Sequence, residues 1–273
     1  MSMVRIGLIV LFFAAFSFNG MSQDSDSIQT TSISLETQML NISDPVMAVE
    51  EESKEDRPPL FNRIWGPIGL SLLSVDLMRD SAKYGLQELA RSFVADTFRT
   101  HVDDWLLWGP IPVMYGADLF KVPAKNTVWN QTKFLIISEA GTAAITWGLK
   151  LGLGIQRPNN GAFTAYPSGH TSQAFCQSQV LFNEFRDTAP LLAASGFLFS
   201  VPVAALRVLN NRHWVPDVLL GAGVAMLVTN LVYHFEPLKD WNPFKRKKNK
   251  TSEMMLVPSF RNDFMGARFQ LRF

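Results

Sequence analysis

The sequence predicts an all-α fold, a helical bundle that is partly embedded in a membrane or associated with one. Apolar segments separated by polar joints follow one another from Leu60 to Phe235. Within them the apolar residues recur at helical spacing, as in the stripe formed by Leu86, Leu89, Ala90 and Phe93. Alternation of apolar and polar residues, which indicates strands, is found only near the C-terminus.

The composition limits the classes of function. The chain has 273 residues, enough for one large domain or two small ones, with 47% hydrophobic and 18% charged residues. A formal net charge of +1 argues against nucleic acid as a partner. The single cysteine, Cys176, excludes an internal disulfide framework and a cysteine-based zinc site. We expect it to be a small buried helix residue.

The N-terminus has the pattern of a secretory signal peptide, which we place at residues 1–22. Arg5 precedes an apolar run over 6–18, and the small residues Gly20 and Ser22 follow it. An uncleaved membrane anchor is the alternative. Residues 23–59 are polar and acidic with no lasting helical or strand period, and we interpret them as a disordered linker.

Residues 60–238 form the predicted helical domain. Its apolar segments are 64–77, 81–98, 105–120, 134–153, 171–185, 189–206 and 215–235. Only the last two combine the length and the lack of charge typical of membrane spans. The earlier segments are short, polar or interrupted by proline, and for them we favour packing in the core of a bundle.

Residues 239–273 form a basic tail. Its cluster of cations would mark the cytoplasmic side of a membrane protein, and it consists of Lys245, Arg246, Lys247, Lys248 and Lys250. Residues 267–273 then alternate apolar and polar side chains. They predict a strand, paired in a hairpin with 255–260 across a turn at 261–263.

Three short motifs bring reactive side chains to the ends of apolar helices. The first places Lys150 seven residues before Arg157-Pro158, with glycines between them that loosen the backbone. The second, Pro167-Ser168-Gly169-His170, leads into a helix, and the N–H groups of a helix N-terminus favour an anion.

The third motif joins Arg207, His213 and Asp217, between the two longest apolar segments. A helical turn between His213 and Asp217 would put both side chains on one face. Taken singly, each motif is compatible with a solvated loop or a helix cap. Together they predict one site, because the ends of alternate antiparallel helices meet on the same side of a bundle.

Two further histidines match no motif. His101 lies close to Asp103 and Asp104, which could suggest a metal site, but we interpret the three as a surface cluster. His234 near the end of the last apolar segment has no such neighbours in the sequence.

The three motifs resemble those of the type 2 phosphatidic acid phosphatase and vanadium haloperoxidase superfamily. That family's motifs read Lys-x6-Arg-Pro, Pro-Ser-Gly-His and Ser-Arg-x5-His-x3-Asp, and each spacing is kept here. The resemblance covers about residues 134–235, and it implies that the upstream helices complete the family's bundle of about six core helices. The one departure is Leu206, where the family usually has serine, which puts the local hydrogen bonding in doubt.

The resemblance implies a role for each residue of the site. His213 would attack phosphorus and form a phosphohistidine, Asp217 would orient it, and His170 would protonate the leaving oxygen and later activate water. The phosphate oxygens would be held by cations and by helix N-terminal donors, the latter from the backbone at Ser168 and Gly169 and the Ser168 hydroxyl. The cations are Lys150, Arg157 and Arg207. No metal or other cofactor is expected, since these cations neutralise the charge.

We therefore predict a metal-independent phosphatase that acts on a phosphate or diphosphate monoester on the exported side of a membrane. We expect its substrates to be phosphorylated lipids. A soluble periplasmic acid phosphatase, a haloperoxidase with vanadate as cofactor, and a non-catalytic lipid-anchoring protein are the alternatives. The number of spans stays open. Three spans before Lys150 would put residue 60 inside, whereas a cleaved signal peptide puts it outside, and the mean hydropathy of +0.08 favours neither arrangement.

Overall fold

The structure, a computed structural model, describes residues 60–242 and the backbone of two strands, 253–261 and 264–272. The predicted signal peptide (1–22), linker (23–59) and basic cluster (245–250) lie outside the described residues. The chain divides into two compact units, 1–237 and 238–273. Within the first unit the described residues form helices and loops, which confirms the predicted all-α class.

The helices follow one another with short connections. Their bounds are α1 Leu60–Asp76, α2 Asp80–Arg91, α3 Val102–Leu106, α4 Pro110–Leu119, α5 Val128–Leu153, α6 Gly169–Phe185, α7 Pro190–Ser195, α8 Phe197–Leu209 and α9 Val215–Phe235. Each predicted apolar segment overlaps at least one of them. Two segments are divided, however, and the predicted helix over 81–98 already ends at Arg91.

Proline and glycine explain the divisions. The segment 105–120 covers the end of α3 and all of α4, because Pro110, which lacks an N–H, begins a new helix. The segment 189–206 contains α7 and α8, which meet at Gly196. A Cβ at Gly196 would lie 3.0 Å from the Cα of Ser178 on α6, so the absent side chain lets the two backbones approach closely.

Helix α5 has well-defined ends that set the position of the first motif. The hydroxyl of Thr127 accepts a hydrogen bond from the Asn130 N–H at 3.4 Å and caps the start. Gly154, with φ of 56°, ends the helix in the left-handed conformation that glycine adopts without strain. Lys150 is therefore in the last turn of α5, whereas Arg157 lies beyond it in the loop.

Helices α6 and α9 form the centre of the bundle, and buried side chains from both build its core. Cys176 on α6 is fully buried, as the sequence predicts. The other helices pack around this pair. Gly223 of α9 allows α1 to come close, because a Cβ there would lie 2.9 Å from the Pro67 carbonyl oxygen.

Among residues 60–242, three helical stretches are long and apolar enough to cross a membrane: Val128–Leu153, Pro190–Leu209 and Val215–Phe235. The last two are the predicted candidates. The expectation that the earlier segments serve only as core is wrong for α5. This helix has 26 residues, and only 33% of its most apolar window is buried. It exposes large apolar side chains, namely Ile136, Ile145, Trp147 and Leu151.

In the second unit, strands β1 Glu253–Arg261 and β2 Phe264–Arg272 pair antiparallel. The register runs from Glu253 opposite Arg272 to Arg261 opposite Phe264. Both strands begin before the residues that the sequence pattern indicates. Each strand of the hairpin has nine residues.

Candidate active site

The three motifs meet at one end of the bundle. The end of α5, the start of α6, the end of α8 and the start of α9 supply them. Backbone and side-chain contacts join these elements directly. The Ser168 N–H donates to the Asp217 carbonyl at 2.9 Å, and a Cβ on Gly169 would lie 3.8 Å from the Cε of Lys150.

His213 and Asp217 form a buried pair. The Nδ1 atom of His213 is 3.1 Å from Oδ2 of Asp217, and the two side chains are 2% and 0% exposed. The carboxylate thus contacts Nδ1, and Nε2 is the second nitrogen of the ring. Burial lowers the pKa of His213 well below its usual value, and the charges of Arg207, Lys150 and Arg157 lower it further. The imidazole is therefore neutral at physiological pH.

A tight turn places His213 beside Arg207. The Arg207 carbonyl accepts from the N–H groups of Arg212 at 3.1 Å and His213 at 3.2 Å. Asn211 within this turn has a φ of 57°, a left-handed conformation that asparagine tolerates. The Trp214 indole N–H then donates to the Gln156 carbonyl at 2.9 Å, which ties this turn to the loop of the first motif.

Three cations of the motifs surround the pair. Lys150 is 5% exposed and donates to the Thr164 carbonyl at 2.7 Å. Arg207 is 3% exposed, and the outer nitrogen of Arg157 is 3.5 Å from the Thr164 hydroxyl. Burial lowers the pKa of Arg157, and repulsion from Arg207 and Arg212 adds to the effect. Positive charge is therefore concentrated at this end of the bundle.

Both arginines keep donors that the described residues do not use. The Nε atoms of Arg157 and Arg207 are buried without a hydrogen-bond partner in the part of the chain that the structure describes. A buried donor without an acceptor costs free energy. An anion with several oxygens would satisfy both groups at once.

The second motif lies at the start of α6, but its serine is already occupied. The fully buried Ser168 accepts from the Thr171 hydroxyl at 3.0 Å, and its N–H donates to Asp217 as described above. The Ser168 N–H, expected from the sequence to bind phosphate, thus holds α6 against α9 instead. Gly169 begins the helix, where N–H groups have no acceptor within the helix.

His170 follows in the first turn of α6 and is 36% exposed. Its Nε2 is 2.9 Å from Oδ1 of Asp104, on the short helix α3. Oδ1 of Asp104 is in turn 3.8 Å from an outer nitrogen of Arg207. Burial and the charge of Arg207 lower the pKa of His170, while the hydrogen bond to Asp104 opposes the shift.

The prediction of a surface cluster at residues 101–104 is wrong for Asp103. This residue is fully buried, and it accepts from Arg207 at 2.8 Å and from the Asn210 amide at 3.2 Å. His101 is exposed, as expected, and bonds Asp104 at 3.1 Å. The sequence motifs miss both carboxylates, and the only signal for them is two adjacent acids just before an apolar segment.

The described residues contain no group of three or more histidine, cysteine, aspartate and glutamate side chains that could hold a metal ion. What they bring together is a neutral imidazole, a carboxylate behind it, several buried cations and a second histidine. Such an arrangement can hold a tetrahedral anion and attack it.

Comparison with known proteins agrees with this chemistry. Residues 131–241 match the family model of the PAP2 superfamily. The resemblance that the motifs predict is thereby confirmed, and residues 150–217 of the candidate site all lie inside the match.

One curated relative and two solved structures are similar to the chain. A lipid A 1-phosphatase of Porphyromonas gingivalis is 28% identical over 198 residues, or 69% of this chain and 44% of that protein. The match therefore spans less than half the length of that relative. LpxE of Aquifex aeolicus is 17% identical, with 56% of this chain and 94% of that chain covered and a TM-score of 0.43. A transmembrane PAP2-type phosphatidylglycerolphosphate phosphatase from Bacillus subtilis is also 17% identical, with coverages of 66% and 98% and a TM-score of 0.44.

Proposed function

We propose that the chain is a membrane-associated phosphatase that hydrolyses a lipid phosphate or diphosphate monoester through a phosphohistidine, with its site on the exported side. One observation carries the proposal. The buried His213 has Asp217 behind it, and the charges of Lys150, Arg157 and Arg207 all act on its ring. A neutral nucleophile within a group of fixed cations suits a phosphoryl group.

Substrate binding depends on the cations. The phosphoryl oxygens accept from the Nε and outer nitrogens of Arg157 and Arg207 and from the Lys150 ammonium. The N–H groups at the start of α6, beginning with Gly169, supply further donors. These groups belong to buried side chains and to the start of a helix, so they are in position before the substrate binds. Little reorganisation is therefore needed as charge develops in the transition state.

The reaction then proceeds in two steps. Nε2 of His213 attacks phosphorus, the bond to the leaving oxygen breaks, and His170 donates a proton to that oxygen. Asp217 stabilises the positive charge on the His213 ring. In the second step the now neutral His170 takes a proton from water, which attacks phosphorus and releases phosphate from His213.

Exposed aromatic and aliphatic side chains support a lipid as the substrate. Trp105 follows Asp104 on α3, Trp108 lies between α3 and α4, and Phe163 precedes the threonine that binds Lys150. Aromatic side chains favour the interface between lipid and water. The similarity to a lipid A 1-phosphatase points to the same substrate class.

Phosphate release by the purified protein tests the proposal. We expect the full chain in detergent, with chelator present, to hydrolyse a short-chain lipid phosphate, and vanadate to inhibit it. The His213→Ala variant should be inactive and should form no acid-labile phosphoprotein. The matched control is His234→Ala, at the far end of α9. Activity that survives in His213→Ala would overturn the proposal, and halide oxidation with vanadate and peroxide would support a haloperoxidase instead.

Cysteine labelling tests the side of the membrane. With the buried Cys176 as the only native thiol, a cysteine can be placed at exposed Asn159 in the site loop or at exposed Asp187 beyond the other end of α6. We expect a membrane-impermeant reagent to label Asn159→Cys from outside intact cells. Labelling of Asp187→Cys alone would contradict the proposed orientation.

A further inference from the structure

We propose that Asp104 is a positioning residue for His170: it holds Nε2 of the ring, so that Nδ1 is the nitrogen that exchanges a proton with the leaving oxygen and then with water. The inference rests on the proposed phosphatase function. It concerns a residue outside the three motifs and outside the matched segment 131–241.

The contact joins two separate parts of the fold. Asp104 lies on α3 and His170 on α6, 66 residues apart, and their Oδ1 and Nε2 atoms are 2.9 Å apart. The two side chains are similarly accessible, at 38% and 36%. A carboxylate can accept only from a protonated ring nitrogen, so this contact assigns the Nε2 proton and leaves Nδ1 as the nitrogen that changes its protonation state.

The backbone that presents Asp104 is anchored to the site. Its neighbour Asp103 is buried against Arg207 and Asn210. The Asn210 side chain also accepts from the Thr100 N–H and donates to the Thr100 carbonyl, both at 2.9 Å. The start of α3 is thus fixed to the turn that follows α8, which limits the positions that the Asp104 carboxylate can adopt.

His101 holds the second oxygen of the same carboxylate. Its Nδ1 is 3.1 Å from Oδ2 of Asp104. Burial raises the pKa of Asp104, but the hydrogen bonds from His101 and His170 and the charges of His170 and Arg207 together bring it below its usual value. Asp104 is therefore ionised at neutral pH. Its negative charge can stabilise the imidazolium form of His170, which is the form that acts as a general acid.

Three charged groups face His170 from the helices packed against it. They are Asp104 and Asp103 on α3 and Arg207 on α8. Burial and Arg207 disfavour the protonated ring, and both carboxylates favour it. Asp103 is committed to Arg207 at 2.8 Å, so Asp104 is the carboxylate in direct contact with the ring. Removing its charge should therefore reduce the fraction of His170 that is protonated.

A histidine titration by NMR tests the contact without reference to activity. The full chain contains four histidines, and one resonance can be assigned to His170 by comparison with His170→Gln. We expect Asp104→Asn to lower the pKa of His170 and Asp104→Glu to restore it in part. The matched control is Asp96→Asn, whose carboxylate is fully exposed. An unchanged His170 titration in Asp104→Asn would overturn the inference, whatever substrate the protein uses.

Leaving-group dependence separates positioning from a merely structural role. An alkoxide needs a proton from the general acid, whereas p-nitrophenolate leaves readily without one. We expect Asp104→Asn to lower the rate of the first turnover about ten- to hundred-fold for an alkyl phosphate. The rate of the first turnover with p-nitrophenyl phosphate should fall much less. The alkaline limit of kcat should also move to lower pH. An equal loss for both substrates would indicate a structural role and contradict the inference, while inactivity of the wild type towards both would count against the proposed function alone.

Discussion

Oδ2 of Asp217 binds two groups at once: it lies 3.1 Å from Nδ1 of His213 and accepts from the Trp214 N–H at 2.8 Å. The same oxygen therefore orients the proposed nucleophile and caps α9. Since both bonds come from the residues just before the helix, the position of His213 is coupled to the folding of the α9 N-terminus.

Substitutions at Asp217 should separate these two roles. Asparagine keeps an oxygen that can cap Trp214 but no longer favours the reactive tautomer and the imidazolium. We expect Asp217→Asn to lower kcat about 10³- to 10⁴-fold, as in triads of this kind. Asp217→Ala should be equally inactive and also less stable by about 1 kcal/mol through the lost cap.

Steady-state kinetics and denaturant unfolding in detergent would measure both effects. Asp118→Asn is the matched control, because Asp118 accepts a hydrogen bond from Gln131 away from the motifs. Near-normal turnover by Asp217→Asn would show that His213 does not depend on this carboxylate.

Gly221 on α9 is a second position where packing and the site are coupled. A Cβ there would lie 2.7 Å from the Ser168 carbonyl oxygen and 3.3 Å from the Ser172 N–H nitrogen. Neither backbone atom can move without displacing the turn into α6. We expect Gly221→Ala to lower both stability and kcat, the latter at least ten-fold, since small displacements of catalytic groups are costly.

Gly148→Ala on α5 is the matched control for this substitution. Nothing lies within 4 Å of a Cβ at that position. There alanine should leave activity intact and stabilise the helix by about 0.5–1 kcal/mol. Equal behaviour of the two alanine variants, in thermal unfolding and in turnover, would contradict the close packing of α9 on α6.

The buried pair of Asp103 and Arg207 leads to a third prediction. Its partners are 0% and 3% exposed, and removing one charge leaves the other without compensation. We expect Asp103→Ala to destabilise the protein by about 3–5 kcal/mol and to weaken substrate binding because Arg207 is no longer held. Chemical unfolding and KM measure the two effects.

A double replacement makes this prediction sharper. Asp103→Leu combined with Arg207→Met should recover much of the stability, since an apolar pair can replace a buried ion pair, but none of the activity. Recovery of activity in the double variant would exclude a role for Arg207 in binding the phosphoryl group.

The sequence predicts the motifs of the site well because their chemistry depends on local spacing. His213 and Asp217 are four residues apart, and the glycines after Lys150 indicate that α5 ends before Arg157. Helical periodicity likewise predicts the bundle, since each long helix must bury one face.

The contacts that complete the site are not visible in the sequence. Asp103 and Arg207 are 104 residues apart, and Asp104 and His170 are 66 apart. No period or spacing connects such pairs; only the packing of α3 against α8 and α6 does. The third candidate span was missed for a related reason. Which face of α5 is exposed depends on how this helix packs against α6 and α9, and the sequence does not show that packing.

The low pKa of His213 predicts how stability and activity depend on pH. Burial and three cations depress it in the folded state, whereas the unfolded chain has the usual value of 6.5. Below pH 6.5 the His213 side chain therefore binds protons more readily in the unfolded state than in the folded state. Its contribution to the free energy of unfolding is fully present above pH 6.5 and is lost as the pH falls. The pKa of His170 is also lowered and acts in the same direction. The nucleophile itself stays neutral well below pH 6.5, so the acid limb of kcat/KM should lie below that value.

Thermal unfolding between pH 8 and pH 5 would measure the dependence of stability. We expect acidification over this range to lower the midpoint of the wild type relative to that of His213→Gln, because glutamine has no proton to bind. His170→Gln should show a smaller change of the same sign. An acid limb of kcat/KM centred at or above pH 6.5, or identical unfolding profiles for the wild type and His213→Gln, would mean that His213 is not held in the neutral form by burial and the surrounding cations.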